Sequence, residues 1–141
     1  RDPYVYILLD CPPYLNLLTV NAMTAGDRML IPLQCEFYAL EGLSQLIHTY
    51  KRIRQGLNPM LQIAGILLTM FDKRTNLSHQ VAEDAAAHFK SLVYNTIIPR
   101  NVRLGESPSF GKPILMYDPA SLGSRSYIAL AKEVMQGHNA N

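Results

Sequence analysis

The sequence predicts an α/β fold in which a mostly parallel sheet is flanked by helices. Three observations predict it. Short runs are apolar throughout, these runs alternate with longer segments of helical periodicity, and no repeat or linker interrupts the alternation. Strands that are apolar at every position are typical of parallel sheets, which are buried on both faces. At 141 residues the chain is long enough for one core and too short for two, so a single α/β domain over residues 1–141 is expected.

Four strands are predicted from the apolar runs. The first ends at Asp10 and is stopped by Pro12 and Pro13, since neither proline can donate to a ladder. Gly65 in the third run would allow a neighbouring group to approach closely, and Pro99 closes the fourth run. The runs cover residues 4–9, 28–33, 63–70 and 93–98.

Four helices are predicted where apolar residues recur every three or four positions. The second runs from Phe37 to residue 55 and is stopped by Gly56; either Thr75 or Asn76 is expected to cap the third. The last runs from about residue 121 to 136. The predicted apolar faces are, in order, Leu15, Leu18 and Ala22 for the helix over residues 15–25; Leu40, Leu43, Ile47, Tyr50 and Ile53; Val81, Ala85, Phe89 and Leu92; and Tyr127, Leu130, Ala131 and Val134.

The composition excludes several classes of protein. Hydrophobic residues make up 48% and charged residues 17% of the chain, which is typical of a globular protein and not of a disordered one. The longest apolar run, residues 4–9, is too short to cross a bilayer. The net charge of +2 is too small to indicate nucleic-acid binding, so a DNA contact would need a local patch. Cys11 and Cys35 have no metal-site spacing and are expected to be reduced, buried thiols.

The ends of the predicted strands are where a ligand would bind, because ligands of parallel sheets bind at the carboxyl ends of strands. Asp10 follows a fully apolar run, where a carboxylate loses solvation unless a partner compensates it. In nucleotide hydrolases that partner is Mg²⁺, held directly or through water. The alternative is an aspartate that caps the next helix or accepts turn amides. The residues alone leave both alternatives open.

Basic residues follow the later strands. Arg100 and Arg103 come after the fourth run, and Lys73 and Arg74 come after the third. These side chains would meet phosphate, nucleic acid or carboxylates, or lie on solvated surface. The cations of residues 51–54 lie near the end of a helix, where the helix dipole stabilises positive charge.

Common catalytic motifs do not occur in these 141 residues. There is no GxxxxGK[ST] phosphate-binding loop, no GxSxG nucleophile elbow and no HExxH zinc motif. The four histidines are scattered and show no ligand spacing with either cysteine. Residue chemistry alone therefore predicts an α/β domain and leaves two roles open for the strand end at Asp10: facing a metal or nucleotide, or capping the next helix.

Several segments match one known family in order and over almost the whole chain. Ile7-Leu-Leu-Asp-Cys-Pro-Pro13, followed by residues 17–22, is similar to a Walker B strand and switch II. The most specific segment is Ile98-Pro-Arg-Asn-Val-Arg-Leu-Gly-Glu-Ser-Pro-Ser109. The other matching segments are residues 31–43, 67–76, 111–113 and 117–119 and the last helix. The sequence thus resembles ParA/Soj partition ATPases, deviant Walker P-loop NTPases of the MinD/ParA superfamily, which implies a P-loop NTPase-like fold, incomplete at its N-terminus.

The resemblance implies a site for ATP and Mg²⁺ and assigns residues to it. Asp10 would be the Walker B carboxylate, which positions Mg²⁺ through water. A loop near the adenine would supply the other contacts. The residues that this loop and its neighbour would contribute are Phe71, Asp72, Pro99, Arg100 and Asn101.

The resemblance also implies an activity and partners. The family forms a homodimer around ATP, binds DNA nonspecifically, and is released when a ParB-like centromere-binding protein stimulates hydrolysis, which partitions plasmids or chromosomes. Arg74 and Arg103 match basic positions that contact the DNA backbone, and such contacts give salt-sensitive, sequence-independent affinity. The implied location is the cytoplasm, on the nucleoid and not on a membrane.

Two departures from the family bear on activity. Tyr14 and Asn16 replace the small residues that usually follow the Pro-Pro pair. The P-loop and the water-orienting aspartate are expected to lie before Arg1, so this chain alone should hydrolyse ATP negligibly. The alternative is a non-catalytic truncated relative that acts by self-association or by binding DNA or a partner. A MinD-like membrane-cycling protein would need a basic amphipathic C-terminal helix, which residues 131–137 do not form.

Overall fold

A computed structural model describes residues 3–12 and 15–137 of the chain. Within these residues helices and strands alternate through the third helix, and the rest of the chain contains helices and loops. Single-turn 3₁₀ segments, Lys90–Leu92 and Ser107–Phe110, follow the helices Asn76–Phe89 and Val102–Glu106. The elements are α1 (Leu17–Ala25), β1 (Arg28–Gln34), α2 (Ala39–Gly56), β2 (Gln62–Thr69), α3 (Asn76–Phe89), α4 (Val102–Glu106), α5 (Ile114–Tyr117) and α6 (Leu122–Met135).

β1 and β2 form a parallel pair. The Gln62 amide donates to the Asp27 carbonyl where the strands begin (3.1 Å), and the Cys35 amide donates to the Thr69 carbonyl where they end (3.0 Å). Residues 65–68 of β2 are buried in succession, as expected of a strand covered on both faces. The predicted α/β fold with a parallel sheet and flanking helices is confirmed.

The chain divides into two compact units. The first unit comprises Arg1–Met29 and Ser44–Gln62, and the second comprises Leu30–Leu43 and Ile63–Asn141. The single domain over residues 1–141 stays a prediction.

The first unit joins α1 to the C-terminal part of α2. The Asn58 side-chain amide donates to the carbonyls of Met23 (3.0 Å) and Gly26 (2.8 Å), which lie at the end of α1. The Tyr50 hydroxyl donates to the Leu61 carbonyl at 3.1 Å. These bonds satisfy carbonyls that helix and loop geometry leave without partners.

The strand predicted over residues 4–9 is wrong. The side chains from Tyr4 to Leu9 are exposed, and in the described part of the chain this segment pairs with no strand. A run that is apolar throughout becomes a buried strand only when neighbouring strands bond its amides and helices cover its faces. The described residues provide neither. Pro13, which was expected to help stop this strand, lies outside the described residues, as does Tyr14.

The buried face predicted for α1 is wrong at two of its three positions. Leu15 and Leu18 are exposed, whereas Ala22 is half-buried and Thr19 and Met23 are buried. Because α1 is apolar around most of its circumference, the spacing of its apolar residues does not select a face. Asn16 caps the helix, since its side-chain oxygen accepts from the Thr19 amide at 3.1 Å.

The fourth strand, predicted over residues 93–98, forms only in part. Two isolated parallel bridges, Ile66 with Val93 and Phe71 with Pro99, replace a continuous ladder along β2. The segment nevertheless follows β2 from one bridge to the next.

A carboxylate on α6 interrupts this ladder. The amides of Asn95 and Thr96 donate to the two carboxylate oxygens of Glu133, at 2.8 and 2.9 Å. Those amides are therefore bonded to a side chain of a distant helix, which the apolar pattern of residues 93–98 does not reveal.

The core of the second unit lies on β2 and on this bridged segment. Leu67, Tyr94 and Ile98 form one buried cluster. The Tyr94 ring lies against Gly65, where a Cβ atom would come within 2.5 Å of the ring, so the predicted close approach at Gly65 is confirmed. The half-buried residues Leu30, Leu104, Leu130 and Val134 pack against the cluster.

The remaining helices follow their predicted patterns with local differences. Thr75, and not Asn76, caps α3. Tyr127 and Ala131 on α6 are exposed although they were predicted to be buried, whereas Leu130 and Val134 are half-buried as predicted. The fully buried residues of α6 are Gly123 and Ser124 in its first turn. The predicted faces of α2 and α3 hold: Leu43, Tyr50, Ile53, Val81 and Ala85 are buried, and Leu40, Ile47, Phe89 and Leu92 are half-buried.

Candidate functional site

The candidate site lies in the second unit, where β2 ends beside the bridged segment. The Phe71 amide donates to the Ile98 carbonyl (3.2 Å), and the Arg100 amide donates to the Phe71 carbonyl (2.9 Å). Phe71 thus lies opposite Pro99. Met70, just before this point, has a positive φ of 53°, which is uncommon for a residue other than glycine and marks a sharp turn out of β2.

The loop after β2 is fixed by the side chain of Ser78, which is buried in the first turn of α3. Its hydroxyl oxygen accepts from the Asp72 amide (3.1 Å) and from the Thr75 hydroxyl (3.0 Å). Phe71 is supported separately by His79, whose ring meets the Phe71 ring edge-on with centroids 5.2 Å apart. Residues 71–75 therefore have one defined arrangement.

Asp72 and Arg74 form a two-pronged ion pair. The Arg74 Nε and Nη2 donate to the two carboxylate oxygens of Asp72 at 2.9 and 2.8 Å, and the Arg74 amide donates to Oδ1 at 3.0 Å. Hydrogen bonds from the Arg74 side chain and amide, with smaller help from the charge of Arg100, hold the pKa of Asp72 well below its usual range. Asp72 is therefore an anion whose charge is matched within the loop.

Arg100 and Asn101 follow Pro99 and differ in what their side chains contact. The Arg100 guanidinium lies 3.6 Å from a carboxylate oxygen of Glu36, which follows β1, and both side chains are about half exposed. Asn101 caps α4, because its side-chain oxygen accepts from the Arg103 amide at 2.9 Å. Its side chain is committed to the helix, whereas that of Arg100 reaches solvent.

Arg103 on α4 belongs to a small charged cluster. Its Nη1 donates to Oε2 of Glu106 at 3.0 Å, and its Nε lies 3.4 Å from Oδ2 of Asp118. The Tyr117 hydroxyl donates to the same Glu106 oxygen at 3.0 Å. The hydrogen bond to Glu106 raises the pKa of Arg103 still further, so the guanidinium stays charged.

The structure brings together the five residues predicted at the nucleotide base. Phe71 is bridged to Pro99. Asp72 follows Phe71, and the charge of Arg100 affects its pKa. Asn101 is the next residue after Arg100.

Asp10 lies in the first unit and is exposed, with no hydrogen bond or ion pair to the described residues. An aspartate oxygen suits Mg²⁺, which takes one or two carboxylates and keeps several waters, so this residue fits its predicted role.

Sequence reasoning did not single out Glu36, Ser78, Glu106, Tyr117 or Asp118. Ser78 had a signal, since it stands three residues after a candidate cap at Thr75. Glu36 comes three residues after the run predicted as the second strand. In the Arg103 cluster, the contacts of Arg103 with Asp118 and of Tyr117 with Glu106 join residues 15 and 11 positions apart through loop geometry, so no periodicity revealed them. Arg103 and Glu106 are three positions apart, a spacing typical of helical ion pairs, which was the one available signal.

Two further findings limit the kinds of site present. Among the described residues there is no group of three or more His, Cys, Asp and Glu side chains that could hold a metal. No helix in residues 3–12 and 15–137 is long and apolar enough to cross a membrane.

Comparisons with known proteins agree with this architecture. Residues 1–63 match a family model described as an AAA domain. The septum site-determining protein MinD of Pyrococcus horikoshii, solved with Mg-ADP, superposes with a TM-score of 0.75 at 26% identity over 95% of this chain and 51% of that one. Cobyrinic acid a,c-diamide synthase of Mycobacterium smegmatis with bound ADP and magnesium superposes with a TM-score of 0.70 at 33% identity, over 90% of this chain and 45% of that one.

Proteins related by sequence have higher identity to this chain than these solved structures do. The chromosome partitioning protein ParA of Caulobacter vibrioides is 60% identical over 135 residues, which are 96% of this chain and 51% of that protein. The ParA protein of Myxococcus xanthus is 61% identical over 94% of this chain and 47% of its own length. The sporulation initiation inhibitor protein Soj of Bacillus subtilis is 59% identical over 95% of this chain and 53% of its own length. Over almost its whole length the chain is therefore similar to proteins named ParA and Soj, and it spans about half the length of the curated relatives it matches.

Proposed function

We propose that this chain is part of an ATPase that partitions chromosomes or plasmids, and that the edge formed by Phe71, Asp72, Pro99, Arg100 and Asn101 contacts the base of bound ATP. One observation carries the proposal. Residues from two loops that are 28 positions apart in sequence, Phe71 and Pro99, meet at the carboxyl end of β2, where parallel sheets bind ligands. The Phe71 ring and the half-exposed Arg100 supply a flat apolar face and a cation at that edge.

Asp10 is proposed to position Mg²⁺ through water. When bound, the ion would neutralise charge on the phosphates during transfer. Asp10 contributes a carboxylate that no described residue engages, so its oxygens are available to hold and orient ion-bound water.

Arg74 and Arg103 are proposed to contact the DNA backbone. Both side chains are largely or half exposed, at 81% and 55%, and both guanidiniums remain charged. Bidentate N–H groups suit phosphate oxygens, and such contacts do not depend on base sequence. In the whole protein this binding would require an ATP-bound homodimer on the nucleoid, and a ParB-like protein would release it by stimulating hydrolysis.

The alternative function is a non-catalytic module that acts by self-association or by binding DNA or a partner. This function would need no phosphate-binding loop, and residues 1–141 contain no such motif. The two functions differ in whether a polypeptide that joins a P-loop to these residues hydrolyses ATP.

Nucleotide binding and turnover test the proposal in this chain and in such a longer polypeptide. We expect the longer polypeptide to bind ATP with Mg²⁺ in calorimetry, Arg100→Ala to weaken binding about tenfold, and the charge-matched control Lys132→Ala on α6 to leave it unchanged. The 141-residue chain should show negligible hydrolysis. Equal affinities for Arg100→Ala and Lys132→Ala would remove Arg100 from the site. Steady turnover by the short chain, lost in Asp10→Ala, would contradict the expectation that this chain alone hydrolyses ATP negligibly.

A further inference from the structure

The arginines proposed to contact DNA are already held by carboxylates of the same chain. Arg74 donates to both oxygens of Asp72, at 2.9 and 2.8 Å. Arg103 donates through Nη1 to Glu106 at 3.0 Å and places Nε 3.4 Å from Asp118. A phosphate held by two N–H groups would need at least one of these groups, because each two-donor edge of either guanidinium includes one that a carboxylate already engages. Each carboxylate therefore competes with a DNA phosphate.

The competition is more severe at Arg103 than at Arg74. One guanidinium faces two carboxylates, so the local charge of the cluster is negative and an approaching phosphate is repelled. The Tyr117 hydroxyl donates to the Glu106 oxygen that accepts from Arg103, which keeps this carboxylate in place. The three charged side chains remain 31–55% exposed, so the pairs can exchange for another anion.

We propose that Glu106 and Asp118 set the affinity of this chain for the nucleic-acid backbone by occupying the N–H groups of Arg103. The inference rests on the proposed DNA contact of Arg103 and adds the residues that limit it. Binding exchanges two carboxylates for one phosphate at a single guanidinium, so loss of the carboxylate charges strengthens the contact. Asp72 stands in the same relation to Arg74, but it also belongs to the proposed nucleotide edge, so the Arg103 cluster gives the cleaner test.

The test compares two charge-matched double variants. Glu106→Gln with Asp118→Asn frees Arg103 and preserves an acceptor for the Tyr117 hydroxyl. Glu83→Gln with Asp84→Asn removes the same two charges from α3, where the described structure shows neither side chain in an ion pair. Affinity for a fluorescent random-sequence duplex is measured by anisotropy over a series of salt concentrations, with thermal unfolding to verify that each variant is folded.

We expect the first variant to bind about tenfold more tightly than the control, with the slope of log affinity against log salt steeper by about one, as for one added phosphate contact. Asp118→Asn alone should give a smaller gain and serves if the double variant unfolds. The gain should disappear when Arg103→Ala is added.

The outcomes separate this inference from the proposed function. If Arg103→Ala alone weakens binding but the first variant equals the α3 control, the carboxylates do not limit the site, and the DNA contact stands. If Arg103→Ala has no effect, the proposed contact and the inference both fail. Absence of DNA binding by every variant at low salt would likewise overturn both.

Discussion

The two compact units differ in how their candidate site residues are supported. In the second unit Asp72, Arg100 and Arg103 each have an ion-pair partner, and the loops that carry them are bonded to β2 or capped helices. In the first unit Asp10 is exposed and follows an exposed apolar run. A side chain at the end of a paired and covered strand meets partners from neighbouring loops, because the strand's backbone bonds bring those loops together; an unpaired run lacks such neighbours.

The units also differ in charge. The second unit has eight Lys and Arg residues and eight Asp and Glu residues, whereas the first has five and three, so the net charge of +2 belongs to the first unit. Yet the arginines predicted to contact DNA lie in the balanced unit. Local pairing, and not net charge, therefore determines how available they are to a phosphate.

The largest expected contrast between the units is in thiol reactivity. The prediction that both thiols are buried is wrong for Cys11 in the first unit, which is exposed, and right for Cys35, which follows β1. Burial raises the pKa of Cys35 to about 11. At pH 8 only about one in a thousand Cys35 side chains is therefore a thiolate. We expect iodoacetamide to modify Cys11 rapidly and Cys35 only after denaturation, as followed by mass spectrometry of peptides. Cys35→Ser should leave the fast modification intact; comparable rates at both cysteines in the folded chain would contradict the burial of β1.

A core contact of the second unit should have the next largest effect. Tyr94→Ala removes a buried ring from the Leu67 and Ile98 cluster and should lower the free energy of unfolding by about 3–5 kcal/mol. Gly65→Ala should cost about 1–3 kcal/mol because its Cβ would lie 2.5 Å from that ring.

The double variant distinguishes this contact from a general effect of alanine. With the ring absent, Gly65→Ala should cost almost nothing further, since nothing then occupies the space of the new methyl group. Urea unfolding of the four proteins measures the coupling. Simple addition of the two losses would show that the ring does not lie against Gly65.

Sequence patterns predicted the elements of the second unit well and those of the first unit partly. β1, β2 and the longer helices follow from runs and spacing that local packing satisfies. The run over residues 4–9 failed because its burial depends on neighbours, which its own composition does not encode. The segment 93–98 failed for a specific reason, since Glu133 takes two of its amides.

The candidate site was predictable where residues follow strands and unpredictable where side chains meet across loops. The resemblance selected Phe71 and Pro99, and the bridge between them appears in the structure. The pairing of Arg103 with Asp118 depends on how α4 and the end of α5 pack, which no motif specifies.

The smallest expected effect concerns the ion pair of Asp72, and it sharpens the comparison by testing whether matched charges stabilise the second unit. The pKa of Asp72 is lowered in the folded chain by the side chain and amide of Arg74. Its stabilising contribution is therefore fully present above the unfolded pKa of about 4 and is lost as the pH falls through the lower folded pKa.

Asp72→Asn abolishes this titration, so the melting temperature of the original chain should exceed that of the variant at pH 6, and the difference should shrink between pH 4 and pH 2. Because the pair is solvent-accessible, we expect a shift of only about a few degrees. Asp84→Asn on α3, which removes one carboxylate outside this loop, is measured alongside as the control. A difference for Asp72→Asn that stays constant down to pH 2 would mean that loop hydrogen bonds, and not the charge on Asp72, account for the loss.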